Sequence, residues 1–594
     1  MSYTILEPLY AAAARNIRYA AQIANASLQS HSPLALITAT ALGIYTIQKL
    51  GEVLSRQKLA AWALAIPAIR KKYEAEILKA YFAFRTKTAE RWKKFGDPIV
   101  KIPEEGMSYA ALIERIEKFS KIVVDGLKEQ HVSGTIYSDS LKKDRPPLSR
   151  VQPPNSDKLE ELFAVAYKEA NLWNSLHGKE FAVGPFLNSQ VVQMAADLFG
   201  GKSDRVMGTV TSGGSESLMM AAMAYRNWGR EVKGHRLGKS VILASDTAHA
   251  ALKKAGIAHD IQIIEIPTGE TGVLDIHAVN EAIEIHGDKV VALFLSAPNY
   301  PTGKIDPIRE IARKRNFGIH VDCCLGGFLL DNHDSNYLTM AGVTSLSADV
   351  HKNGQCPKGA SVLVTQAMPN GENLFHYAIF VDPYWKGGLY GTPRNGGSQS
   401  CVPEITAFIA MLAIGKKGYR ENSQKIRQKT QELAQAIDSS DALRLIVQPD
   451  LNVVTFKVAE KHKLDFGATY VFAQEMEQRK FTLNTIQGDA VHYCMTARDA
   501  NNPTFIAAFK TAAQESFEAV QKTQEEVRRK GEKFSGEAGM YCNLEAALKP
   551  NLQKQGFFKF LENYLLGAMA AKTMIRRHFE ALSNPLAAIS LSSS

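Results

Sequence analysis

The spacing of hydrophobic positions divides this chain into stretches of different character. From Pro33 to Ile47 the run PLALITATALGIYTI is strongly apolar, and no Asp, Glu, Lys or Arg occurs between Tyr19 and Gln48. Its densest part is shorter than the ~20 residues that usually cross a hydrocarbon core, although weakly polar flanks could extend it. It reads as a borderline membrane helix, or else as a buried or interfacial one. Lys49, Arg56, Lys58, Arg70, Lys71 and Lys72 follow, so a spanning segment would leave everything downstream in the cytosol. The run starts too far from Met1, with no compact basic region before it, to make a good cleavable signal peptide. From Glu74 to Phe95 and from Tyr109 to Gln130, apolar residues recur at helical spacing among charges, which predicts two amphipathic helices.

After the proline-rich, polar stretch from Leu141 to Asp157, which reads as an exposed loop, the pattern changes. Between about Leu159 and Ala410, short β-branched runs alternate with helical stretches. The runs at 240–245, 290–296, 318–322, 345–349 and 360–365 look like strands buried on both faces. Such alternation predicts an α/β domain with a mainly parallel sheet. Beyond Tyr419 a helix, the strand-like LNVVTFKV (451–458) and a last helical run suggest a smaller α+β domain. The expected organisation is a membrane-associated segment over 1–60, helices over 61–130, a catalytic domain over 131–418, a small domain over 419–540 and a helical tail over 541–594.

Composition adds less. The 594 residues carry a formal charge of +10, which would suit an anionic surface or substrate, but the cations are spread out and form no nucleic-acid-binding motif. Six cysteines, Cys323, Cys324, Cys356, Cys401, Cys494 and Cys542, lack the paired spacing of a zinc or redox site, which favours a reducing compartment.

Candidate chemistry gathers where the predicted strands end, the place where open parallel sheets bind ligands. In TSGGSES, Gly213 and Gly214 precede a strong helix, and they would let backbone amides and Ser215 approach a phosphate; a capping box with Ser215 as N-cap is the plainer alternative. His249 follows the second strand and could lie on an aromatic ring, or simply pack. Asp322 closes the strand GIHVD, where a carboxylate needs a partner such as a protonated pyridine nitrogen. Lys352, thirty residues later in SADVHKNGQCPKG, follows His351; partial burial or the nearby Lys358 would lower its pKa and fit it for imine formation. Each signal alone is ordinary. Their order is not.

At these residues the chain resembles the fold type I enzymes of pyridoxal 5'-phosphate (PLP) and, within them, the sphingosine 1-phosphate lyases. The resemblance runs from about Val132 to Ala410 and rests on TSGGSES, DTAHAALKKA, SAPNYPTGKIDPI, HVDCCLGGFLL, SADVHKNGQCPKGAS and WKGGLYGTP. It implies a fold type I, transferase-like large domain with Lys352 as the Schiff-base lysine, Asp322 as the pyridinium partner and His249 on the ring. Gly213, Gly214 and Ser215 would hold the phosphate beside His351, with Thr392 reaching in from a second subunit of a homodimer. Asn174, His177, Tyr137 and Lys358 match substrate-site positions. The implied reaction is retro-aldol cleavage of a phosphorylated sphingoid base, and the implied setting is the endoplasmic reticulum membrane. Two departures stand out: Ser175 replaces a usual proline, and Gln399 stands where an arginine is usual, with Arg394 as a conceivable substitute. An amino-acid decarboxylase, or an inactive membrane adaptor of the same fold, are the rival readings.

Overall fold

The computed structural model describes residues 90, 92–127, 159–202, 204–329, 335–382, 385–388 and 390–531. The chain divides into two units between Lys94 and Phe95, and every element below belongs to the second. The apolar run 33–47, the helix expected over 74–95, the loop 141–157, Tyr137, Cys542 and the C-terminal tail lie outside the described residues, apart from the last few positions of that helix. No helix among the described residues is long and apolar enough to cross a membrane.

In order along the chain the elements are α1 (Tyr109–Leu127), α2 (Leu159–Ala170), α3 (Val183–Leu198), β1 (Met207–Thr211), α4 (Gly214–Glu231), β2 (Val241–Ser245), α5 (Ala251–His259), β3 (Gln262–Ile266), α6 (Ile276–His286), β4 (Val290–Ser296), β5 (Gly318–Asp322), β6 (Val343–Ala348) and β7 (Ser361–Thr365). A hairpin, β8 (Phe380–Asp382) and β9 (Tyr390–Thr392), leads to α7 (Val402–Asp438), β10 (Leu443–Val447), β11 (Val453–Val458), α8 (Ala468–Gln478), β12 (Asn484–Ile486), β13 (Ala490–Cys494) and α9 (Phe505–Lys530).

Among the described residues, β1 to β7 form one sheet in the order β1-β7-β6-β5-β4-β2-β3. β6, β5, β4, β2 and β3 run parallel, as the unbroken apolar runs predict, and every residue of β4 is buried. β7 is antiparallel to both β6 and β1, so the carboxyl end of β1 emerges on the same side as those of β2, β5 and β6. The four candidate motifs thus open at one end of one sheet. Helix α4 covers a face, burying Leu218, Tyr225 and Trp228 against Ile242, Phe294 and Leu363. This is the fold type I architecture.

The antiparallel sheet β10-β11-β13-β12 has its own core, in which Phe456, Phe472 and Phe509 pack with Leu433 and Ile437 of α7. The boundary expected at 418/419 falls inside α7, just beyond a kink at Gly415 (φ 67°, ψ 171°). A Cβ at Gly415 would stand 2.7–2.8 Å from the backbone of Glu105 and Gly106, so only glycine admits the segment that crosses there. That segment is bonded on both sides of the kink, Met107 N to Leu412 O and Lys416 N to Pro103 O.

Candidate active site

Helix α4 begins at Gly214 with Gly213 as N-cap in extended backbone. Ser215 is therefore inside the helix and not its cap. The carboxylate of Glu216 instead turns back to accept from Ser212 N at 2.7 Å and Ser212 Oγ at 2.8 Å. The first backbone donors into Gly213 O are Glu216 and Ser217, which leaves the amides of Gly214 and Ser215 at the positive end of the helix without an intrahelical acceptor. A Cβ on Gly214 would lie 2.7 Å from Cys324 Sγ and 3.0 Å from Asp349 Oδ1; one on Gly213 would lie 3.4 Å from His351 Cε1. The two glycines thus bring a helix start against the ends of β5 and β6.

Lys352 sits beyond the end of β6, its side chain 36 % exposed, with Nζ 2.8 Å from Asp349 Oδ2. Sequence reasoning passed over Asp349, although an acid three residues before the lysine was the available signal. Its side chain is 2 % exposed and also meets His351 Nε2 at 3.5 Å, while His351 Nδ1 accepts from Ala360 N at 3.1 Å. Burial works against the Asp349 charge, but His351 and Lys352 outweigh it and hold the carboxyl down at about 2. The expectation of a depressed lysine is overturned. Burial pulls the Lys352 amine down, yet Asp349, with Cys324 and Asp322 in range, leaves it above its ordinary value. Lys358, the cation expected to depress it, is exposed and donates to the His351 carbonyl at 3.2 Å.

Asp322 closes β5 with its Oδ1 accepting from Cys324 N at 3.0 Å and Ser347 Oγ at 3.3 Å. His249 is exposed after β2, its Nδ1 accepting from Ala251 N at 3.1 Å at the start of α5. Asn174 and His177 are half-buried in the turn after α2. There Asn174 forms a bridge with Ser400, Ser175 N donates to Gln399 O, and Asn174 Oδ1 accepts from Leu176 N. The bonds that fix Asn174 thus run within its own turn and to the 399–400 segment, whereas those of Lys352 run to Asp349. Thr392 is buried in β9, and its hydroxyl donates to carbonyls of its own turn, Arg394 O and Gly396 O. Arg394 is 9 % exposed and pairs at 2.7 Å with the fully buried Glu404, which also accepts from Ser175 Oγ at 3.0 Å. Its charge is matched inside the protein, so Arg394 does not replace the positive charge missing at Gln399.

The residues fit an anionic, aromatic, amine-reactive cofactor. A side chain at Gly214 would fill the cradle, two helix-start amides remain for a phosphate, and Asp349 Oδ1 is buried without a hydrogen-bond partner among the described residues.

Comparison with known proteins is consistent with this donor set. The pyridoxal-dependent decarboxylase conserved domain matches residues 183–459. Sphingosine-1-phosphate lyase 1 of Rattus norvegicus is 31 % identical over 453 residues, 74 % of this chain and 74 % of the rat protein. The sphingosine-1-phosphate lyase of Drosophila melanogaster is also 31 % identical, over 67 % of this chain and 70 % of its own. Among solved structures, a sphingosine-1-phosphate lyase of Burkholderia pseudomallei superposes with a TM-score of 0.56 at 25 % identity, over 73 % of this chain and 95 % of that one. A glutamate decarboxylase of Lactobacillus brevis shares the fold at 16 % identity and a TM-score of 0.51, over 66 % of this chain and 96 % of that one.

Proposed function

Because this chain belongs to the sphingosine-1-phosphate lyase family of pyridoxal-dependent enzymes, we propose that it cleaves phosphorylated long-chain 2-amino-3-hydroxy bases between C2 and C3. The products are a long-chain aldehyde and phosphoethanolamine. The observation that carries this reading is the convergence, at one sheet end, of Lys352, its partner Asp349, the Gly213–Gly214 helix start and Asp322.

When bound, pyridoxal 5'-phosphate supplies an aldehyde that links to amines and a cationic ring that accepts the electron pair of a breaking bond. Lys352 would be the amine that holds it. Paired as an ammonium with Asp349, Lys352 would have to lose a proton before linking to the aldehyde. Asp322 would hold the proton of the ring nitrogen, the Gly214 and Ser215 amides would hold the phosphate beside His351, and His249 would hold the ring. Thr392 serves the site of a partner subunit in a homodimer. Asn174, His177, Tyr137 and Lys358 orient the substrate, and Tyr137, His177, Lys352 and Lys358 are the groups available to move protons at its C3 hydroxyl and C2. The apolar run 33–47 keeps the catalytic domain at the cytosolic face of a membrane where such lipids reside, in the manner of an endoplasmic reticulum enzyme.

The test is to incubate purified protein with a phosphorylated sphingoid base and measure aldehyde and phosphoethanolamine. Both products are expected, and both disappear, together with the cofactor absorbance band, in Lys352→Ala. Carbon dioxide released from an amino acid, with no aldehyde from the phosphorylated base, would transfer the chain to the decarboxylases.

A further inference from the structure

Behind Asp322 lies a file of buried polar groups that the reaction described above does not use. Strands β5 and β6 pair in register, His320 opposite Ser345 and Asp322 opposite Ser347. His320 and Asp322 stand two apart on one strand, as do Ser345 and Ser347 on the other, so all four side chains share a face. Ser347 Oγ lies 3.3 Å from Asp322 Oδ1 and 3.1 Å from His320 Nε2. His320 Nδ1 lies 2.7 Å from Ser345 Oγ, which lies 2.7 Å from Tyr225 OH of α4. Thr344 Oγ1 lies 2.7 Å from the same phenol. His320, Ser345, Ser347 and Tyr225 have no exposed surface.

With a neutral imidazole, the hydrogens between Asp322 and Ser345 have one consistent arrangement. A carboxylate only accepts, so Ser347 donates its single proton to Asp322. Ser347 must then accept from His320, which places the imidazole proton on Nε2 and leaves Nδ1 as an acceptor. Ser345 gives its proton to Nδ1 and accepts from Tyr225, whose oxygen lies beside the Thr344 hydroxyl, itself 3.5 Å from the Ile319 carbonyl. Cys324 Sγ also donates to Ser347 Oγ at 3.3 Å. From Tyr225 inwards, each donor points towards Asp322. Burial supports the neutral ring, pushing the imidazole down to about 4 even with Asp322 nearby.

We propose that His320 is a positioning residue for the reaction: as its Nε2–H tautomer it locks the Ser347 hydroxyl onto Asp322 and so keeps that carboxylate aimed. Ser347 Oγ and Cys324 N both donate to Oδ1, which fixes the direction in which the carboxylate presents its other oxygen to a ring nitrogen. The consequence for cleavage rests on the cofactor reading above, whereas the tautomer itself does not.

Nitrogen-15 NMR of the cofactor-free full chain, assigned by loss of the signal in His320→Gln, tests the file directly. A neutral Nε2–H ring that stays unprotonated to about pH 5 is expected from its displaced pKa. An Nδ1–H ring, or a cation at neutral pH, overturns the proposal whatever the protein catalyses. In the holoenzyme His320→Phe, which keeps a flat ring but no donor, should lower kcat roughly 10–100-fold with little change in KM, the scale of one hydrogen bond to a charged group. The pH at which its cofactor absorbance band titrates should shift. His320→Gln, whose amide can still donate to Ser347, should recover most of the loss, and Ser347→Ala should reproduce it if His320→Phe does not fold. Wild-type kcat and an unshifted titration in both His320→Phe and Ser347→Ala would refute the role.

Discussion

Replacing Asp349 by asparagine separates the lysine from the carboxylate it is paired with. The Asp349 carboxyl lies at about 2 in the folded chain against an ordinary 3.8, because Lys352 Nζ is 2.8 Å away and His351 Nε2 is 3.5 Å away. That depression corresponds to about 2.5 kcal/mol of folding stability. A depressed carboxyl contributes that stability in full above its unfolded value and loses it only as pH falls through the folded one, so the window of loss runs from about 4 down to about 2. The lysine side has the opposite sign: its raised value supports the fold below its ordinary 10.5 and fades above that. Urea unfolding of cofactor-free wild type and Asp349→Asn should therefore differ by about 2 kcal/mol at pH 7, with the gap unchanged between about pH 5 and pH 9. The freed amine, no longer clamped, should titrate lower and react with an aldehyde at a lower pH than in wild type. A variant as stable as wild type at pH 7, or a gap that already closes between pH 7 and 5, would refute the pairing as the source of the shift.

Two further outcomes follow from the geometry. Gly214→Ala sets a methyl 2.7 Å from Cys324 Sγ and against Asp349, so the helix start must move; PLP affinity by absorbance titration should fall roughly 10-fold or more, with about 1–3 kcal/mol of stability lost to overpacking. Asp306 is buried, accepts from Ser296 N at 2.7 Å, and is pushed up by burial to about 7. A raised carboxyl supports the fold fully below its unfolded value and loses that support as pH rises to the folded one, so Asp306→Asn should gain a few kcal/mol on wild type between about pH 4 and pH 7 in denaturant titrations, and an equal pH profile for the two proteins would contradict this.

What the sequence revealed of this site, and what it hid, follows from which contacts are local. That Gly213–Gly214, Asp322 and Lys352 gather at one place was legible because each follows a strand-like run, and the parallel strands bring those run ends to one side of the sheet. The direction of β7 was not legible, since a strand buried on both faces has the same apolar pattern whichever way it runs. The lysine's electrostatics were misread for a related reason. Lys358 and Asp349 both lie close to it in sequence, but only the turn after β6 decides that Asp349 faces the amine while Lys358 turns to a carbonyl. His320 was quieter still. The dyads His-Val-Asp on β5 and Ser-Leu-Ser on β6 are both visible as strings, yet their meaning lies in the register that sets His320 against Ser345 and Asp322 against Ser347. A slip of one residue would turn one pair of side chains to the opposite face of the sheet and leave a buried imidazole and two hydroxyls unpaired, at a cost of about 1–3 kcal/mol for each group. The polar file thus fixes the strand pairing that places the acid, and the same bonds that would steady Asp322 for chemistry also explain how a sheet centre tolerates so many buried polar side chains.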